Sequence, residues 1–146
     1  EAYNNLGIVA IYENNYAAAD EYFNKARKLG INTNYNEGVI HINKGDYNKA
    51  VKLMTKDNPK CDYNVALAQT LDKKYTIAEE TISCLEENGH TLYLQAVIAS
   101  RTKDPEKAIK HLSKAIKKDS KMKKMARNDM EFAYLQDMPE FIALVK

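Results

Sequence analysis

Two rows of polar side chains recur along this 146-residue sequence. One row is Asn5, Asn36 and Asn64, ending at Leu94. Beside it, one residue earlier in each case, run Asn4, Tyr35, Tyr63 and Tyr93. A carboxamide donates and accepts hydrogen bonds at once, and a phenol offers a flat apolar face with a polar tip. That combination suits the backbone and side chains of an extended peptide. Tyr can equally serve as a packed spacer between helices, and the residue type alone leaves both roles open. Two cysteines, Cys61 and Cys84, are the other chemically distinctive pair.

Catalysis has no comparable candidates. His41, His90 and His111 are far apart, and no His or Cys pairing has zinc-ligand spacing. His41 reads as a packed, hydrogen-bonded histidine. Only five glycines are present, and none forms a phosphate-binding loop. Ser83, Ser100, Ser113 and Ser120 lack any context for a nucleophile. The expectation is a non-enzyme with no cofactor and no metal.

The elements that carry these rows follow from a repeat. Ala19, Ala50, Ala78 and Ala108 are spaced by 31, 28 and 30 residues, and the first three end the segments Tyr16–Ala19, Tyr47–Ala50 and Tyr75–Ala78. Twelve residues before each alanine stands a small residue, Gly7, Gly38, Ala66 or Ala96. Four residues after it stands a bulky one, Phe23, Met54, Ile82 or Leu112. The i, i+4 spacing places small and large groups on one helical face. A unit of this length holds two short helices whose apolar faces need a neighbouring unit to cover them. Asn14-Asn15 and Gly45-Asp46 mark inner turns, Asp104-Pro105-Glu106 opens a helix, and Asn58-Pro59 marks the expected start of the third hairpin.

The first unit reads Tyr3-x-x-Leu6-Gly7-x-x-Ala10, then Ala19-x-x-x-Phe23-x-x-Ala26, and it resembles the tetratricopeptide repeat (TPR). The resemblance covers roughly residues 1 to 118. It departs from the usual pattern at Ala10 and His41, where Tyr is common, at Ile31, where Pro is common, and in its shorter period. The implied fold is all-α, a right-handed α–α superhelix (TPR solenoid) of about four helical hairpins, spanning about 1–31, 32–58, 59–88 and 89–118. Capping helices follow over 119–146, within one continuous domain. The cap is expected as one helix over 120–136 and a short one over 138–145, with Phe132, Leu135, Phe141 and Leu144 inward. This tail resembles the ends of TPR segments in some bacterial cell-envelope proteins through Asp129-x-Glu131-Phe132-Ala133 and Phe141 with Leu144.

In TPR grooves the places of the two polar rows commonly face the ligand. The resemblance therefore implies a concave groove lined by Asn5, Tyr35, Asn36, Tyr63, Asn64 and Tyr93. One turn further, Tyr12, Asn43, Thr70 or Leu71, and Arg101 extend the wall. The family's carboxylate clamp for chaperone tails is present only in part. Asn36 and Lys60 match it, but Asn4, Ile8 and Asn64 replace two cations and an asparagine. Without those cations a free carboxylate lacks its charge-assisted partners, so chaperone-tail binding is not expected.

Charge is uneven behind a net +2. Residues 103 to 127 hold ten Lys or Arg against three Asp or Glu, a local +7 that leaves −5 on the remainder. A solvated helix face accounts for this most simply. The functional alternative is an electrostatic tether to an anionic partner or surface. No Tyr or Phe is interleaved among these lysines, so nucleic acid is not the expected partner. Cys61 and Cys84 fall at neighbouring ends of the third hairpin, as a disulfide or as two free thiols. A disulfide would favour a periplasm or cell envelope over the cytoplasm. The chain opens at Glu1 inside a helical pattern, which reads as part of a longer protein. No apolar run reaches membrane-spanning length. The expected role is a protein-interaction scaffold, with the tether or a structural spacer within a larger envelope protein as alternatives.

Overall fold

The computed structural model describes residues 1–57 and 61–146. Its first eight α-helices are α1 (Ala2–Tyr12), α2 (Tyr16–Lys28), α3 (Asn34–Asn43), α4 (Tyr47–Met54), α5 (Tyr63–Leu71), α6 (Tyr75–Ser83), α7 (Gly89–Arg101) and α8 (Pro105–Lys118). Then come α9 (Lys121–Asn128), a 3-10 segment (Met130–Leu135) and α10 (Pro139–Val145). Consecutive helices pair as antiparallel hairpins, α1 with α2 through α7 with α8. The expected start of the third hairpin at Asn58-Pro59 lies outside the described residues. Within them α5 begins at Tyr63, with the Asp62 carboxylate accepting from the backbone N–H groups of Asn64 and Val65.

All four inner turns share one geometry. Asn14, Gly45, Lys73 and Lys103 stand in the same register, and each has φ between 57° and 78°. The next residue in each turn donates its backbone N–H to a carbonyl five residues back: Asn15 to Ala10, Asp46 to His41, Lys74 to Gln69 and Asp104 to Ala99, at 2.8–2.9 Å. This is a Schellman ending, in which a left-handed residue lets the chain satisfy the last carbonyls of one helix while reversing toward the next. Glycine suits that conformation, asparagine tolerates it, and lysine is strained there.

Close helix approach follows at the small positions. A Cβ on Gly7 would run into the Phe23 ring, and one on Gly38 would lie 2.6 Å from Met54 Cγ and 3.1 Å from the Ala50 carbonyl oxygen. Phe23, Met54, Ile82 and Leu112 are all buried behind the registered alanines, which are fully covered. Where the large partner is Ile82 or Leu112, an alanine, Ala66 or Ala96, takes the glycine's place.

The chain divides into two compact units, Glu1–Lys60 and Cys61–Lys146. The apolar core divides with it. Ile40 of α3 joins Ala10, Ala19 and Phe23 in one cluster, while a larger cluster runs from Ala66 to Val145. Within each unit stacking is visible in one registered position: Ile40 and Ile98 are at most 1% exposed, whereas their counterpart Val9 in the first hairpin is 50% exposed.

The cap differs from the single helix expected over 120–136. After α9 the chain turns extended at Asp129, whose carboxylate accepts from the Glu131 N–H, and a 3-10 segment follows with Phe132 outside helical φ/ψ. This break swings Phe132 and Leu135 into the core beside Met122, Ala126 and Phe141. Val145 takes the buried place expected of Leu144, which is only partly covered.

Turn strain generates a stability prediction. Lys73→Gly should raise unfolding stability by about 0.5–1 kcal/mol, because glycine removes the left-handed penalty. Gly45→Ala should lower it by about 1 kcal/mol for the same reason. Urea unfolding monitored by far-UV circular dichroism reads both.

Candidate functional site

The polar rows sit at the starts of the first helices, but they do not share one environment. Tyr35 is partly buried at the second position of α3 and lines a recess of about 350 Å³ with Asn32, Asn34, Leu53, Met54 and Asp57. Asn32 Nδ2 and Asn34 Nδ2 donate to Asp57 at 2.7 and 2.6 Å, and these bonds hold its carboxyl below the usual range. Neighbouring Asn36 donates from Nδ2 to Asn4 Oδ1 at 3.0 Å, so one row of the second hairpin meets the other row of the first directly. Asn5 is exposed and Tyr12 is 84% exposed on α1. The clamp-like Lys60 lies outside the described residues.

In the second compact unit, Tyr63 lines a larger recess of about 550 Å³ with Leu85, Glu86, Asn88, His90 and Thr91. Burial raises the Tyr63 phenol, which therefore stays neutral through the physiological range. Its ring meets His90 edge-on, with centroids 6.5 Å apart and planes at 78°. The start of α7 is pinned by a capping box: Asn88 Oδ1 accepts from the His90 and Thr91 N–H groups, and Thr91 Oγ1 accepts from the Asn88 N–H. Thr91 Oγ1 also donates to the Glu86 carbonyl at 3.0 Å. Asn64, beside Tyr63, is partly buried.

Cys61 and Cys84 form a disulfide with Cα atoms 5.7 Å apart. It ties the segment leading into α5 to the end of α6. Tyr63 follows Cys61 by two residues, and Leu85 and Glu86 follow Cys84 directly, so the covalent link flanks the walls of the larger recess.

Tyr93, in the same row, and Arg101, two turns further along α7, face the cap. Tyr93 is 7% exposed, its hydroxyl donates to Asp129 Oδ2 at 2.7 Å, and its ring stands edge-on to Phe132 at 5.5 Å. Burial and the Asp129 carboxylate push the phenol far above its ordinary value. Arg101 donates from Nε to Glu131 Oε2 at 2.8 Å, from Nη2 to Glu131 Oε1, and from Nη1 to the Thr70 carbonyl at 3.2 Å. The two side chains lock α7 to the 3-10 segment, and Arg101 also reaches the end of α5. Tyr93 is thereby covered by the cap, while Arg101 stays partly exposed with its guanidinium held by Glu131.

The histidines have structural surroundings. His41 lies partly buried, its Nδ1 3.4 Å from Asp46 Oδ2, and burial lowers its pKa. His111 is lowered by burial and by the Lys107, Lys114 and Lys110 charges. Among the described residues, no group of three or more His, Cys, Asp or Glu is placed to hold a metal ion. No described helix is long and apolar enough to cross a membrane.

Sequence reasoning missed Leu85, Glu86 and His90 as neighbours of Tyr63. The Asn88-x-x-Thr91 spacing is a capping signal that could have located the start of α7 and with it this wall. Asp129 and Glu131 carry no local signal of their partnership with Tyr93 and Arg101.

Sequential antiparallel helical hairpins, with small and large residues kept in register, define a helical-repeat protein. The family model for the tetratricopeptide repeat matches residues 1–29, 31–56 and 89–121, more than half of the chain, and the chain belongs to that family. The third hairpin, α5 and α6, lies outside the matched segments while keeping the register. The fold class is the all-α hairpin array of the TPR superhelix type. TPR domains are in general protein–protein interaction modules and are typically not catalytic. No curated protein and no solved structure matches the chain.

The Tyr93 contact sets a testable pH dependence. A phenol held above its unfolded value of about 10 contributes stability that is full below that pH and is lost as pH rises through the folded value. The thermal midpoint should therefore fall more steeply above about pH 10 in the wild type than in Tyr93→Phe. At neutral pH Asp129→Ala should cost about 1–3 kcal/mol, and less once Tyr93→Phe is present, because no buried hydroxyl is then left unpaired.

Proposed function

We propose that this TPR chain is a protein-interaction scaffold that binds a peptide or protein segment through the first helices of its hairpins. Tyr35 and Asn36 are the contact residues in the first compact unit, and Tyr63 and Asn64 in the second. Asn5 and Tyr12 on α1 extend the surface. The observation that supports this reading is the divergence within one registered row: Tyr35 and Tyr63 each line a recess, whereas Tyr93 is bound to the cap. Bound segments would accordingly engage Tyr35 in the first unit, or Tyr63 in the second, more than the fourth hairpin.

An oxidising setting goes with this reading, since disulfides such as Cys61–Cys84 persist in periplasmic and extracellular compartments. We place the protein in a periplasm or cell envelope, as one part of a larger assembly. Tyr35→Ala combined with Tyr63→Ala should abolish partner capture from a cell-envelope extract while leaving the far-UV helical signal intact. Retained capture would overturn the reading, and loss of helicity would show that the tyrosines are core.

The basic end supports a second reading. Within 103–127, Lys107 pairs with Glu79 at 2.6 Å, Lys103 Nζ lies 4.5 Å from the Tyr134 ring centroid, and Arg127 Nε donates to the Val145 carbonyl at 2.8 Å. Lys110, Lys117, Lys118, Lys121 and Lys124 remain exposed without such partners among the described residues. An anionic surface would find its charge there. Binding of this kind should collapse as salt rises from about 50 to 200 mM in a vesicle or polyanion co-sedimentation assay, and salt-insensitive binding would count against it.

A further inference from the structure

The recess at the disulfide-linked end of the third hairpin has a chemistry of its own. Its volume of about 550 Å³ lies within the about 300–1,000 Å³ range of clefts that hold small ligands or single side chains. Two of its walls are rings: Tyr63 and His90 stand nearly perpendicular, forming a corner with one flat face and one edge. Leu85 adds an aliphatic surface to the lining. The acidic group at the recess is Glu86.

The two adjacent glutamates are used differently. Glu87 reaches toward Lys114 at 4.0 Å and lines a separate recess with Leu92, Lys117 and Lys118. Glu86 has no side-chain hydrogen bond or ion pair among the described residues. Its backbone is nevertheless held, because its carbonyl accepts from Thr91 Oγ1. No lysine or arginine is among the described residues lining the recess, and the Tyr63 phenol is neutral. Among the described residues, a carboxylate without a cationic partner thus stands beside two aromatic surfaces, an arrangement that suits a cation.

We propose that this recess binds an arginine side chain of an extended peptide, the guanidinium stacking on the Tyr63–His90 corner and pairing with the Glu86 carboxylate, while the aliphatic stem lies on Leu85. Arginine fits better than lysine because its planar head stacks on rings and meets a carboxylate through two parallel N–H groups. This inference rests on the peptide-binding reading above and names the side chain that the third hairpin selects.

The probe is a fluorescein-labelled pentapeptide Gly-Leu-Arg-Leu-Gly, compared with its Lys and Gln counterparts by fluorescence anisotropy at low ionic strength. The Arg peptide should bind about tenfold tighter than the Gln peptide, as a charge-assisted pair with ring stacking requires, with the Lys peptide between them. Glu86→Gln should erase the Arg-over-Gln preference without changing the far-UV spectrum, since the side chain has no partner among the described residues. His90 imidazole proton resonances should shift on titration with the Arg peptide and stay unmoved with the Gln peptide. Equal binding of the Arg and Gln peptides, or a preference that survives Glu86→Gln, would overturn the arginine pocket. Envelope-extract capture that is abolished by the double tyrosine variant but untouched by Glu86→Gln would sink this inference alone and leave the scaffold reading standing. Loss of both tyrosine dependence and peptide binding would remove the two together.

Discussion

The approach of two helices within each hairpin is the constraint on which the rest of this structure depends. Gly7 and Gly38 leave room for the Phe23 ring and the Met54 side chain, and a single Cβ at either place would collide with them. With the helices that close, the alanines between them are sealed from water and the bulky residues fill the remaining space. Interiors pack like organic solids, so volume misfit by one methyl group is felt directly. Stacking then needs only that a residue such as Ile40 reach back to the preceding hairpin. Each later contact inherits its geometry from that first interlock.

Inner turns preserve the interlock by reversing the chain in the same way every time. The left-handed residue and the carbonyl five positions before the next residue recur at Asn14, Gly45, Lys73 and Lys103, whatever the side chain. Two lysines in a conformation that favours glycine show that the hairpin packing outweighs local preference there. Since the first-helix rows are measured from these turns, uniform reversal also keeps Tyr35 and Tyr63 in equivalent places. Their surroundings nevertheless differ, one recess being polar and the other walled mainly by rings and Leu85.

Legibility in the sequence followed the range of the interactions. Period, small–large pairing and the turns at Asn14 and Gly45 were readable because each depends on residues a few positions apart or on a residue type with special backbone freedom. The turns at Lys73 and Lys103 were not, since lysine carries no turn signal. The cap was expected as one helix, and Asp129 broke it by capping the following segment and accepting the Tyr93 hydroxyl. That pairing joins residues 36 apart, and nothing in their local sequence announces it. Tyr93 accordingly looked like Tyr35 and Tyr63 until the cap was in view.

By itself the sequence determined the repeat, its register, the residues that must be small or large, and the family to which the chain belongs, because helical periodicity and steric size are local properties written in residue order. Tertiary structure decided which members of an equivalent row remain accessible. The cap buried Tyr93 and paired with Arg101, a shared carboxamide bond joined Asn36 to Asn4, and the α6–α7 connection brought Glu86 and His90 to Tyr63. Accessibility is a property of what packs against a residue, and those partners come from segments whose distance along the chain no local pattern encodes.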